Sequence, residues 1–170
     1  MAAVKDVERP DYRYVGGESE LLAAMLDRLR STFLWKCAGL SDDQLRRRSA
    51  APSTLSLLDL MRHLTEAERY WFQHCVAGRD LEPLHAMTAQ GYVDENDSTP
   101  TEQVVQHYRT ACEESRRIAA GQSLDHVVQS AVYGCPVSVR FIAVHLVEEY
   151  ARHCGHADLL RESIDGAVGE

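Results

Sequence analysis

Nothing in the chain approaches the run of roughly 18 to 20 apolar residues that a membrane-spanning helix needs. The opening MAAVKDVERPDYRY likewise lacks the hydrophobic stretch of a secretory signal, so a cytoplasmic protein with no membrane partner is expected. Cysteines are few and scattered. Cys37, Cys75, Cys112, Cys135 and Cys154 are odd in number and contain no CxxC pair, which argues against a disulfide framework and against a cysteine-based zinc finger. Positive charge is also short. Against 18 Lys and Arg stand 26 Asp and Glu, a formal net charge of −8, and such a field repels a phosphate backbone, so nucleic acid is not an expected partner. Internal repeats and low-complexity segments are missing as well.

What is present is helical periodicity, in a chain of 170 residues that suits one domain with a full core. Residues 1–17, with Pro10 and Gly16-Gly17, read as an arm packed on the rest through Tyr12 and Tyr14; residues 18–166 read as a single domain. Leu21, Leu22, Met25, Leu26, Leu29, Phe33 and Leu34 recur at helical spacing and predict helix one from Glu18 to Ala38, stopped by Gly39. Ser41 with Gln44 forms a capping box for a short turn that Pro52 soon follows. Ser56 caps helix two, whose stripe of Leu57, Leu60, Met61, Leu64, Ala67, Trp71 and Cys75 runs to Gly78. The polar stretch from Arg79 to Ser98 predicts a long crossover. Thr99 as cap and Pro100 as first helical residue open helix three, which runs to about Ala120. Residues 122–135 are irregular or briefly extended, and Pro136 and Ser138 open helix four, which continues to roughly Ser163. The expectation is an all-α four-helix bundle with a long crossover between helices two and three and no convincing strand.

On helix four, VHLVEEYARHCGH places His145, Glu149 and His153 at successive steps of four, with His156 one turn on. Side chains four apart share a face, the arrangement helical metal sites use, and the missing ligand has to come from a facing helix. His63 at the edge of the helix-two stripe is the candidate. The bland alternative is a solvated face in which Glu149 pairs with Arg152 or His153. His74, His85, His107 and His126 belong to no constellation, and Cys154 reads as packing. Tyr70, Trp71 and Phe72 are core, pocket wall or dimer surface, and the Arg46-Arg47-Arg48 run is a solvated charge cluster.

The pairing of HLTEAERYWF on helix two with EEYARHCGHADLLRESIDG on helix four resembles the DinB-like superfamily of four-helix-bundle metalloproteins. The resemblance is to the branch related to mycothiol-dependent maleylpyruvate isomerase and mycothiol S-transferases, and it covers the chain after the arm. It implies a divalent metal held by His63, Glu149 and His153. Glu149 stands where many members have the first histidine of an HxxxHRGQ-like stretch, as in the isomerase branch, and His156 falls at the usual Gln, as a neighbour of the ligands or a rival to one. Zinc suits an N,N,O set best, with nickel, manganese and iron also compatible.

The resemblance further implies a metal-dependent thiol transferase or isomerase. A low-molecular-weight, mycothiol-type thiol activated at the metal would attack an electrophile, with Glu148, Arg152 and His156 around the ligands; a homodimer is implied as well. The alternative is a non-catalytic bundle that binds a small molecule or a partner protein, with a structural metal or none. A DNA-damage role, suggested by the superfamily's name, meets the acidic balance as an objection.

Overall fold

In the computed structural model, which describes residues 3–5, 7–85 and 98–169, four long helices assemble around one core. Helix α1 spans Glu18–Cys37, a single turn α2 spans Asp42–Leu45, and α3 spans Leu57–Glu68 before widening into a π-helical segment, Arg69–Val76. Helix α4 spans Thr101–Ala120, strands β1 (Val127–Ser130) and β2 (Cys135–Ser138) form an antiparallel hairpin, and α5 spans Val139–Asp165. The crossover expected over 79–98 falls largely outside the described residues. No helix among the described residues is long and apolar enough to cross a membrane.

Polar side chains set the helix starts where the sequence places them. Ser41 and Gln44 complete their reciprocal capping box, Ser56 Oγ accepts from Asp59 N at 3.1 Å, and Ser138 Oγ accepts from Phe141 N at 3.2 Å. At the far end of α5, Gly166 takes the left-handed conformation, φ 77°, and its N–H donates to Glu162 O at 2.9 Å. Apolar stripes then meet. Leu26 and Phe33 from α1, Leu57, Leu60, Met61 and Leu64 from α3, Val104 and Tyr108 from α4, and Ile142, Leu146 and Tyr150 from α5 are almost free of solvent. Each such side chain contributes about 1.5–3 kcal/mol by leaving water. Helix α1 lies against α5, and α3 packs on both α4 and α5.

Several expectations need correction. Helix two is not uniform: the Ala77 N–H donates to Phe72 O, five residues back at 2.9 Å, and the widened segment is held against α4 and β1. Thr99 does not cap α4. Pro100, with no side-chain bond to the helix, stands at the cap position and Thr101 is the first helical residue, while the Thr99 carbonyl accepts from Arg46 Nη2 at 3.1 Å. Arg46 is thereby a tether between α2 and α4 rather than a solvated charge, for it also bonds Asp42 and Thr101 Oγ1. The region 122–135 contributes a real strand pairing, Val127 opposite Ser138 through Ser130 opposite Cys135, and Pro136 sits in β2 rather than at the start of a helix. The arm is anchored by Val4, which is fully buried and whose carbonyl accepts from Gly39 N, and by Pro10, whose carbonyl accepts from Arg28 Nη1 at 2.7 Å; Tyr14 is exposed, and Tyr12 lies under the Arg28 guanidinium, 3.9 Å away, and against the Tyr14 ring.

Candidate metal centre

Helices α3 and α5 run antiparallel, since His63 meets His153 while Trp71, eight residues further along, meets His145 and Phe141. Their register is set in the core. Tyr150 turns inward and donates to Glu68 Oε1 at 2.9 Å, while Arg30 of α1 donates to the same carboxylate from Nε and Nη2, each at 2.7 Å. Its neighbour Glu149 lies about 100° around the helix and faces the α3–α5 seam instead.

At that seam Glu149 Oε2 lies 3.1 Å from His153 Nε2 and 3.4 Å from His63 Nε2, and the two imidazole centroids are 4.6 Å apart. His63 is the most open of the three, with 29% of its side chain exposed against 15% for Glu149 and 13% for His153. Hydrogen bonding to His153, then to His63, holds the Glu149 carboxyl far below the usual carboxylate range despite partial burial. The second oxygen is held from outside: Arg152 Nη1 donates to Oε1 at 3.2 Å and Nη2 to Glu148 Oε1 at 2.5 Å. His156 Nδ1 is 3.3 Å from His153 Nδ1, and burial, with His153 and Arg152 close by, lowers its affinity for a proton.

The three donor atoms lie within 4.8 Å of one another. Two imidazole nitrogens and one carboxylate oxygen, gathered from two helices and partly open, are a donor set that suits a divalent cation and leaves coordination positions for other molecules. The bland reading of Glu149 is also satisfied, because Arg152 and His153 both bond it, but neither accounts for His63 arriving from the opposite helix.

His145 does not join the triad. Its ring stacks on Phe141 with 2° between planes and meets Trp71 edge-on, with centroids 5.9 and 5.1 Å away. Of the aromatics in helix two, Trp71 and Phe72 are buried and Tyr70 is half-buried. His85 and His107, which sequence leaves unconnected, meet at 3.3 Å between Nε2 and Nδ1, and no local spacing announces the contact. Phe141 was findable, since it continues the column of fours above His145. Burial pushes the thiols of Cys37, Cys112 and Cys154 up to about 12, so none of these is a thiolate at neutral pH; Cys154 packs with its Sγ toward Leu29 O. A cavity of about 210 Å³ between α1, α4 and α5, lined by Leu22, Leu26, Ala119 and Ala143, opens on a different face of α5 from the triad.

A family model described as mycothiol S-transferase matches residues 21–166, from early α1 to the glycine that ends α5. No curated protein and no solved structure gives a significant match.

Proposed function

We propose, because the chain belongs to the mycothiol S-transferase family, that it transfers a small mycothiol-type thiol to an electrophile at a divalent metal held by His63, Glu149 and His153. The observation that carries the reading is the convergence of those three donors across two helices, in a chain matched to that family over most of its length. Zinc fits the N,N,O set best. A cation bound there supplies positive charge that favours the deprotonated form of a thiol.

The chain's own residues shape the rest. Arg152 holds Glu149 Oε1, which leaves Oε2 directed at both imidazoles, and His156 braces the far side of the His153 ring. The buried thiols of Cys37, Cys112 and Cys154, being protonated, are not nucleophiles for the transfer. In the transfer a carbon–sulfur bond forms at the electrophile, the leaving group departs with the electrons of the broken bond, and the thiol proton passes to solvent. In an isomerisation the thiolate would instead add to one carbon of a C=C bond, whose π electrons move to the activating group, and after rotation about the resulting single bond the same thiolate would leave as the double bond re-forms.

The test is metal content per chain, measured by elemental analysis on protein purified without a metal-affinity column, alongside mass-spectrometric assay of mycothiol conjugation to an electrophile. The wild type is expected to hold about one divalent ion and to form conjugate; His63→Ala, Glu149→Ala and His153→Ala should lose both while staying folded. Wild-type protein that cannot be loaded with metal would instead make the column a polar helix face and favour a non-catalytic binding bundle.

A further inference from the structure

The triad is one end of a longer feature. Phe141, His145, Glu149 and His153 are spaced by four along α5 and so share one face, with His145 about 6 Å and Phe141 about 12 Å along the axis from Glu149. The facing helix repeats the pattern from His63 through Ala67 to Trp71. Beyond the donors, the α3–α5 seam therefore becomes aromatic.

Trp71 forms the floor, only 4% exposed. Tyr133, from the turn of the β-hairpin, stacks on it at 5.7 Å and 29°, and His145 and Phe141 meet it edge-on, with centroids 5.1 and 6.5 Å away. The two outer rings are not covered: Tyr133 is 46% and Phe141 41% exposed, flanked by exposed Val132 and Val144. Packing the hairpin does not require open rings, because Tyr70 Oη already fixes its turn, lying 3.3 Å from Ser130 Oγ and accepting from Val132 N at 3.0 Å. A contiguous apolar patch of this kind, continuous with a candidate reaction centre, has the character of a binding surface.

We propose that Trp71, Tyr133, Phe141 and His145 seat the electrophile of the transfer, and that this substrate is a planar, uncharged aryl compound. The exposed faces and edges of such rings recognise a flat, electron-poor ring by stacking, and none of the four side chains is a carboxylate, ammonium or guanidinium that would pair with an ionic substrate. The proposal rests on the thiol-transfer reading for the substrate's role, while the aryl site itself is separately measurable.

The experiment uses the full chain carrying Trp35→Phe, so that Trp71 is the remaining tryptophan. Its fluorescence is titrated with 1,3-dinitrobenzene, which has no leaving group, on metal-free and metal-loaded protein. Saturable quenching in both forms is expected, weakened about fivefold by Phe141→Ala and by Tyr133→Ala, both half-exposed and tolerant of truncation. In turnover, the same variants should raise KM for 1-chloro-2,4-dinitrobenzene with kcat nearly unchanged and leave iodoacetamide unaffected. Non-saturable quenching, or quenching indifferent to both variants, overturns the proposal. So does a sedimenting dimer that Phe141→Ala returns to monomer, which would assign the rings to a second copy of the chain. Saturable quenching without conjugation of any electrophile sinks the thiol-transfer reading and leaves the aryl site in place.

Discussion

Arg30 and Glu68 meet in the centre of the bundle as a two-pronged ion pair, both side chains nearly solvent-free, with Tyr150 donating to the same carboxylate. Burial opposes the charge on Arg30, and the carboxylate more than offsets it, so its affinity for a proton rises well above normal. Removing one partner strands the other. Glu68→Ala is expected to cost about 3–5 kcal/mol in urea unfolding, and the double variant Arg30→Met, Glu68→Leu to recover most of that. A loss below about 1 kcal/mol in the single variant would show that the pair does not help to hold α1 against α3.

His156 touches the candidate ligands only through His153. His156→Ala is expected to weaken zinc binding about tenfold in competition with a chromophoric chelator, while thermal stability without metal stays close to wild type. Unchanged affinity would remove His156 from the site; complete loss would make it a ligand.

Asp42 bonds Thr101 Oγ1 and Arg46, and these contacts hold its carboxyl below the usual range. A carboxyl with a depressed folded pKa adds stability that is complete above its unfolded value, near 3.9, and is lost as pH falls through the folded value. Its side chain is 55% exposed, so the effect is small. Asp42→Asn should be less stable than wild type by about 0.5 kcal/mol at pH 6, and the gap should narrow as pH falls below about 4 in paired denaturation curves.

Tyr70 Oη, with Ser130 Oγ and Val132 N, ties the hairpin turn to the π segment. Tyr70→Phe should cost about 1 kcal/mol and speed amide exchange selectively in residues 127–138, read by mass spectrometry. Uniform acceleration across the bundle would mean that the tyrosine supports the core and not the hairpin.

Local chemistry made much of this legible. Serine caps, the terminal glycine and the apolar stripes mark α1, α3, α4 and α5 to within a few residues, and the steps of four put Glu149 and His153 on one face before any neighbour is known. The family match agrees with the resemblance carried by the motifs. Long-range pairing was not legible. Arg30 and Glu68 each look like an ordinary charged position on its own helix, and only the fold across 38 residues of separation makes them partners. Thr99 has the residue type of a cap, but the helix starts one residue later, with Pro100 at the cap position and Thr101 first in the helix. The hairpin strands are four residues each, too short for alternation to stand out, so Tyr133 gave no sign that it would cover Trp71.

The widening of the helix at Arg69–Val76 sets the aim of the side chains inside it separately from the helix on either side. A π-helical stretch amounts to an extra residue absorbed in a widened turn of an α-helix, so deleting one residue ahead of Trp71 and restoring ordinary turns would leave the helix beyond the segment close to its present orientation and re-aim the side chains inside it. His63 lies upstream and would stay opposite Glu149 and His153. Trp71 lies within the segment and would lose its present place in the seam, and with it would go the floor beneath Tyr133. One codon thus acts on the aromatic cluster around Trp71 and leaves the gathering of imidazoles and carboxylate as it is.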